Sequence, residues 1–300
     1  FWDDEEEEVE LPTELVAFNT EVDIKVVWKT NSGSGIEFGI NEPFISGEHI
    51  FLAKNEGIVS SLSTRNGKEE WKKKTNDYIS GSVGYGYKTI LYGTLDGEIV
   101  ALSDKNGDEL WRVQLSSEIL APPASDGSIV AVQTSDGKLT ALNLKSGDVD
   151  WTYTSQVPNL SLRGTSTPIV TNGVVFGSFA NGKSVMISAD SGSARWELPI
   201  TINEGKSELD RIVDIDGKAI LDGKIFVAST YQGNIMAIDI STGKPLWQEK
   251  FSSTKNLTSS RSRIVGVNVK DIVQGFGLST GVTVWRQDGL KLRELSSPVN

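Results

Sequence analysis

A glycine, a strand-like run, a second glycine ten residues on and a tryptophan four residues after that recur along this chain. The copies are Gly57/Gly67/Trp71, Gly97/Gly107/Trp111, Gly137/Gly147/Trp151, Gly182/Gly192/Trp196 and Gly233/Gly243/Trp247, and a degenerate copy with Asp271 in the first glycine's place ends at Gly281 and Trp285. Self-similarity at a period near 40 residues marks a repeat fold. The second glycine is preceded by Asn66, Asn106, Ser146, Ser191, Thr242 and Thr280. Such pairs, set between two strand-like runs, supply the positive φ that a hairpin loop requires.

Within the unit, the fourth residue after the first glycine is mostly small (Ser61, Ala101, Ala141, Met186, Ala237), and the fifth is aliphatic (Leu62, Leu102, Leu142, Ile187, Ile238). Successive strand side chains point to opposite faces, so both faces of each sheet are expected to be buried, one against small and one against large residues. Upstream of each hairpin there is room for two more strands, as in Ile129–Gln133 and Lys224–Ala228. Four short strands per unit of about 40 residues make the blade of an all-β propeller, whereas solenoid rungs are usually shorter.

The spacing between tryptophans, from Trp28 onward, is 43, 40, 40, 45, 51 and 38 residues. The unit before Trp196 therefore carries about five extra residues and the unit before Trp247 about eleven. Insertions in a repeat fold go to loops on one face, often the binding face. The first is Gln156–Gly164, containing Leu160, Leu162 and Arg163; the second runs from Ile202 to Asp216 and includes Glu208, Asp210, Arg211, Asp214 and Asp216. Leu160 and Leu162 share one side of an extended segment. They either tuck into their own blade or form an exposed apolar pair beside Arg163, a composition suited to an interface anchor.

The ends break the pattern. Residues 1–14 hold eight acidic side chains and no basic one, leaving only −3 of the net −11 for the rest. Residues 1–17 read as a self-repelling, flexible tail, and residues 18–300 as the propeller. Asp23–Trp28 reads as a lone outer strand, with Trp28 as the residue that locks the ring, and Leu295–Val299 as the first strand of a further unit. Six complete blades are expected, with C-terminal blades lacking; a start at Phe1 without Met or leader features reads as a processed or trimmed product.

Several functions find no support. Neither tail nor body has the basic footprint of nucleic-acid binding, and no apolar run approaches the roughly 18 residues of a membrane-spanning helix. With no cysteine there is no disulfide and no Cys-ligated metal. His49 is the one histidine, without the supporting groups of a general base, and no Gly-x-Ser-x-Gly elbow occurs. Asp214-x-Asp216 lacks the further oxygen ligands of a calcium loop. No catalytic residue, metal or cofactor is expected.

The repeats Ala141–Trp151 and Ala237–Trp247 resemble the tryptophan-docking motif of quinoprotein-type propellers. Pro158–Gly164 and Glu208–Asp216 are similar to the two signature loops of the BamB family, lipoproteins of the outer-membrane β-barrel assembly machinery. The resemblance covers residues 18–300. It implies an eight-bladed, non-enzymatic scaffold, lipid-anchored at the periplasmic face of the bacterial outer membrane. It further implies that the loops bind a POTRA domain of BamA through Leu160, Leu162, Arg163, Asp214 and Asp216, with other machinery subunits and unfolded outer-membrane proteins as further partners. The lipid-bearing N-terminal cysteine and about two blades of the family pattern are not in this sequence. The alternative is a quinone-dependent dehydrogenase, whose usual vicinal disulfide this chain cannot form; a sensor domain of a larger protein is a third reading.

Overall fold

In the computed structural model, residues 11–16, 22–31, 42–162, 164–202 and 207–299 are described. They contain six four-stranded antiparallel sheets, each a meander whose strands pair in chain order. The sheets span residues 44–74, 79–114, 124–154, 169–199, 220–250 and 258–287 and are referred to as blades 1 to 6. This is the propeller architecture that the repeat predicts.

The core lies between blades. Five apolar clusters each combine residues of two consecutive sheets. On the second strand of blade 3, Val130 and Val132 pack toward blade 2 while Ala131 packs toward blade 4. A period-2 strand buried on both faces does this by construction.

The repeat residues fall into one geometry. Every second glycine has positive φ, from Gly67 (66°) to Gly281 (70°). The small residue stands directly opposite the tryptophan across the last strand pair: Ser61 opposite Trp71, Ala101 opposite Trp111, Ala141 opposite Trp151. A register shift follows at once in all six sheets, between the small and the aliphatic residue in four of them, between Met186 and Ile187 in blade 4 and between Gly275 and Phe276 in blade 6. The indole then reaches across to the next blade's hairpin. Trp71 donates to Asp104 O (2.8 Å), Trp111 to Leu144 O (2.8 Å), Trp151 to Ala189 O (2.6 Å) and Trp247 to Leu278 O (2.7 Å). Each ring covers the glycine of that hairpin so closely that a Cβ there would collide with it; at Gly147 it would meet Trp111 at 2.9 Å. In the degenerate copy Asp271 holds φ 58°, the conformation that Gly57, Gly97, Gly137 and Gly182 supply in their copies, while in blade 5 Gln232 rather than Gly233 takes it, at φ 51°.

Trp28 makes the same contact with blade 1: its Nε1 donates to Thr64 O (2.8 Å) and its ring covers Gly67. Trp28 thus docks as the repeat tryptophans do, but the lone outer strand expected around it is not formed: residues 23–30 form no paired strand, and Ile24, Val26 and Val27 are exposed. Leu295–Val299 is likewise not a strand. Side chains replace the ladder there: the Asp271 carboxylate accepts from the Glu294 and Leu295 amides, and Ser297 Oγ accepts from Asn256 N. In the tail, Thr13 donates its amide to Lys291 O and accepts from Arg293. The acidic run of residues 1–10 lies outside the described residues.

Candidate functional site

The two insertions meet. The chain leaves blade 3 through Ser155 and Gln156, where Asn181 Nδ2 of blade 4 donates to Ser155 Oγ (2.9 Å) and Gln156 O (3.0 Å). It then crosses toward the segment before blade 5, where Leu162 N donates to Asp214 Oδ2 at 2.8 Å across 52 residues of sequence. Ser166 Oγ donates to Gly217 O (2.9 Å) just beyond. Asp214 is itself anchored, its carbonyl accepting from Tyr231 N (2.8 Å) in the blade 5 hairpin.

This anchoring turns the leucines outward. Leu160 is 43% exposed and Leu162 40%, so of the two readings open at the sequence level the structure selects the exposed apolar pair. Arg163 lies outside the described residues. The second insertion adds Leu209, 66% exposed, on a short 3-10 turn, Leu209–Arg211. That turn is braced by Ser207 N donating to Asp210 Oδ2 and Asp210 N donating to Ser207 Oγ, both at 3.1 Å.

The two carboxylates expected as partner contacts sit differently. Asp214 has no exposed surface and is spent on the Leu162 amide. Asp216 presses against the loop: a Cβ at Gly164 would stand 1.9 Å from its Oδ1. Asp214, enclosed on all sides, supports the loop beneath the exposed leucines, whereas Asp216 stands against the loop and keeps part of its surface exposed. Burial raises the pKa of Asp214 against the opposing pull of the Leu162 and Ile215 amides. Burial, and then the charge of Asp214, pushes Asp216 up to about 8.

Behind the loop lies a cavity of about 180 Å³ whose walls include Gln133, Ser161, Gly164 and Thr165. Gln133 Oε1 and Thr165 Oγ1, with Asp214 Oδ1 and Asp216 Oδ1, are the buried side-chain polar atoms among the described residues that have no hydrogen-bond partner. All four surround this one loop. Gly164, Thr165, Gln133 and Leu209 were not singled out by sequence reasoning; Gly164 alone carried a signal, as the glycine that closes the inserted segment. Among the described residues no group of three or more His, Cys, Asp or Glu side chains is placed to hold a metal. His49 is half-exposed and pairs with Glu70 through Nδ1 at 2.6 Å.

Comparison with known proteins gives a consistent picture. The family model described as outer membrane protein assembly factor BamB matches residues 55–287. The chain is 46% identical over 289 residues to the outer membrane protein assembly factor BamB of Pseudomonas aeruginosa, spanning 96% of this chain and 76% of that one. It is 42% identical over 291 residues to that of Kangiella koreensis, spanning 96% and 75%. The crystal structure of BamB from Moraxella catarrhalis superposes with a TM-score of 0.79 at 29% identity, covering 84% of this chain and 76% of that one.

Proposed function

Since the chain belongs to the BamB family of outer membrane protein assembly factors, we propose that it serves that assembly as a docking scaffold whose contact face is the Leu160–Leu162 loop. It is an assembly factor rather than an enzyme, and its place is with the outer membrane. The finer reading is a periplasmic, lipid-anchored protein that holds a POTRA domain of BamA and so aids folding and insertion of β-barrel proteins.

The observation that carries this reading is the pair of leucines held out from the propeller at 43% and 40% exposure by a hydrogen bond from the neighbouring blade's insertion. Apolar side chains fixed on a supported loop lose little entropy on binding, which is what an interface anchor needs. Leu160, Leu162 and Arg163 supply contacts in this proposal; Asp214 and Asp216 hold the loop that presents them.

Calorimetric titration with soluble POTRA domains tests it, alongside Leu162→Asp and Arg163→Glu variants whose folding is verified. An anchor is worth about 2 kcal/mol or more, so each variant is expected to weaken binding about 30-fold. Unchanged affinity in both variants would move the docking face elsewhere on the propeller.

A further inference from the structure

The loop's underside contains two carboxyl groups where electrostatics permits only one charge. Asp214 and Asp216 lie within hydrogen-bonding reach of one another, and each keeps one buried oxygen, Oδ1, without a donor. Leu162 N already supplies Asp214 Oδ2. Among the described residues no lysine, arginine or histidine bonds either group. The neighbouring elements present Tyr231, whose amide goes to the Asp214 carbonyl; Lys218, which is exposed and whose amide is taken by Asn256; and the exposed Glu208, Asp210 and Arg211. Thr165, with its own unsatisfied hydroxyl, stands on the loop above.

An enclosed Asp214 beside a partly buried Asp216 whose Oδ1 is buried is unstable with both groups charged and no cation bonded to either among the described residues, and one proton placed between them relieves both the repulsion and the two orphaned oxygens. We propose that Asp214 and Asp216 form a singly protonated carboxyl pair that positions the Leu160–Leu162 loop through the Leu162 amide, and that removal of the shared proton unlatches this loop. Asp214 remains the charged acceptor of the Leu162 N–H, and Asp216 is the donor that keeps Asp214 in place. Gly164 is the residue that lets the pair sit this close to the loop, since any side chain there would occupy the position of Asp216 Oδ1. With both groups ionised, repulsion pushes the two carboxylates apart, and the Leu162 amide bonded to Asp214 Oδ2 shifts with its acceptor.

The functional consequence rests on the docking role of Leu160 and Leu162; the latch itself does not, and it is read without a partner. The experiment follows the backbone amide resonances of Leu162 and Gly164 by NMR from pH 6 to pH 10 in the unaltered 300-residue chain, in Asp216→Asn and in Asp214→Asn. A single transition at both amides near pH 8 is expected in the unaltered chain, in keeping with the raised Asp216. Asp216→Asn keeps a permanent Nδ2 donor to Asp214, so its amides stay at the low-pH position throughout. Asp214→Asn removes the transition as well, but shifts the Leu162 amide at every pH because its charged acceptor is gone. Flat resonances in the unaltered chain overturn the proposal, and so does a transition that survives in both variants, since the proton then belongs to another group. POTRA titrations at pH 7 and pH 9 are run in parallel: if the latch titrates and binding does not follow, the docking reading fails while the proton pair stands.

Discussion

Truncating one docking tryptophan separates what the repeat holds together from what merely recurs in it. Trp111 is 9% exposed, donates to Leu144 O at 2.8 Å and lies over Gly147. It packs in a cluster that includes Leu91, Ile99, Val130 and Leu142 from both blades it joins. Trp111→Ala removes that packing and leaves the Leu144 carbonyl without its donor. Core Trp→Ala changes cost about 3–5 kcal/mol, the orphaned acceptor included. At about 2–4 °C per kcal/mol for a domain of this size class, the thermal midpoint should fall by roughly 6–20 °C. Trp285 occupies the same repeat position but is 37% exposed and, among the described residues, its indole nitrogen has no hydrogen-bond partner. Trp285→Ala on the same chain should therefore cost only about 1 kcal/mol. Differential scanning calorimetry or far-ultraviolet dichroism on the two variants decides the matter. Equal shifts would refute the reasoning, because they would assign the stabilisation to the tryptophan's place within its own sheet rather than to the glycine hairpin it covers in the next.

Arg112 bonds Asp77 (3.0 Å), Glu98 (2.6 Å) and Glu109 (2.9 Å), and Asp77 also accepts from Tyr92 Oη (2.5 Å). Arg112→Met should destabilise by ~3 kcal/mol in urea unfolding, since Asp77 stays largely buried without its cation; a neutral result would mean the carboxylate relaxes into water. Between pH 5 and 8 the fold should lose stability as pH rises: Asp216 keeps its proton to about 8 when folded but loses it near 4 when unfolded, so the folded state binds more protons in that window. The limit is about 1.4 kcal/mol per pH unit for one proton. Asp77, Asp136 and Glu197 have lowered pKa values; their contribution is lost only below that window as pH falls, so urea midpoints at pH 5.5 and 7.5 isolate the pair, and Asp216→Asn should flatten the slope. Gly164→Ala should weaken POTRA binding at least tenfold with an unaltered blade fold, because a Cβ there would lie 1.9 Å from Asp216 Oδ1; retained affinity would mean the loop gives way without moving its leucines.

The blades were legible because their determinants are local. A turn that needs positive φ, a small residue opposite a tryptophan and an aliphatic residue beyond the register shift all lie within about fifteen residues, and the structure returns each of them in place. The two end strands were not, because strand propensity is decided by a partner. Asp23–Trp28 keeps its docking tryptophan but pairs with no strand, and Leu295–Val299 is held by Asp271 and Asn256 instead of a ladder. At the site, the insertions were visible as added length on a face where repeat folds bind, but not as two loops in contact. What the sequence left open was which way Leu160 and Leu162 face, since that depends on an acceptor 52 residues away. The same distance hid the burial of Asp214: two aspartates separated by one residue look equally exposed in a polar loop, and only the other loop, bonded to Asp214 through Leu162, encloses the first of them.

The distribution of imperfection in this fold is itself informative. A propeller buries its core between sheets, so a loop spliced between two blades perturbs no cluster provided its ends are held, here by Asn181 at one side and Asp214 at the other. Each buried polar atom left without a partner costs about 1–3 kcal/mol, and a fold of near-identical units has few places to absorb such a cost. In this chain the four such atoms among the described residues are gathered under one loop. A proton between Asp214 and Asp216 satisfies two of them, and the cavity bordered by Gln133 and Thr165, at about 180 Å³, is roomy enough to hydrate the other two. The loop is therefore held by polar contacts that pH and solvent can change, while the tryptophan-docked blades around it are held by packing that they cannot.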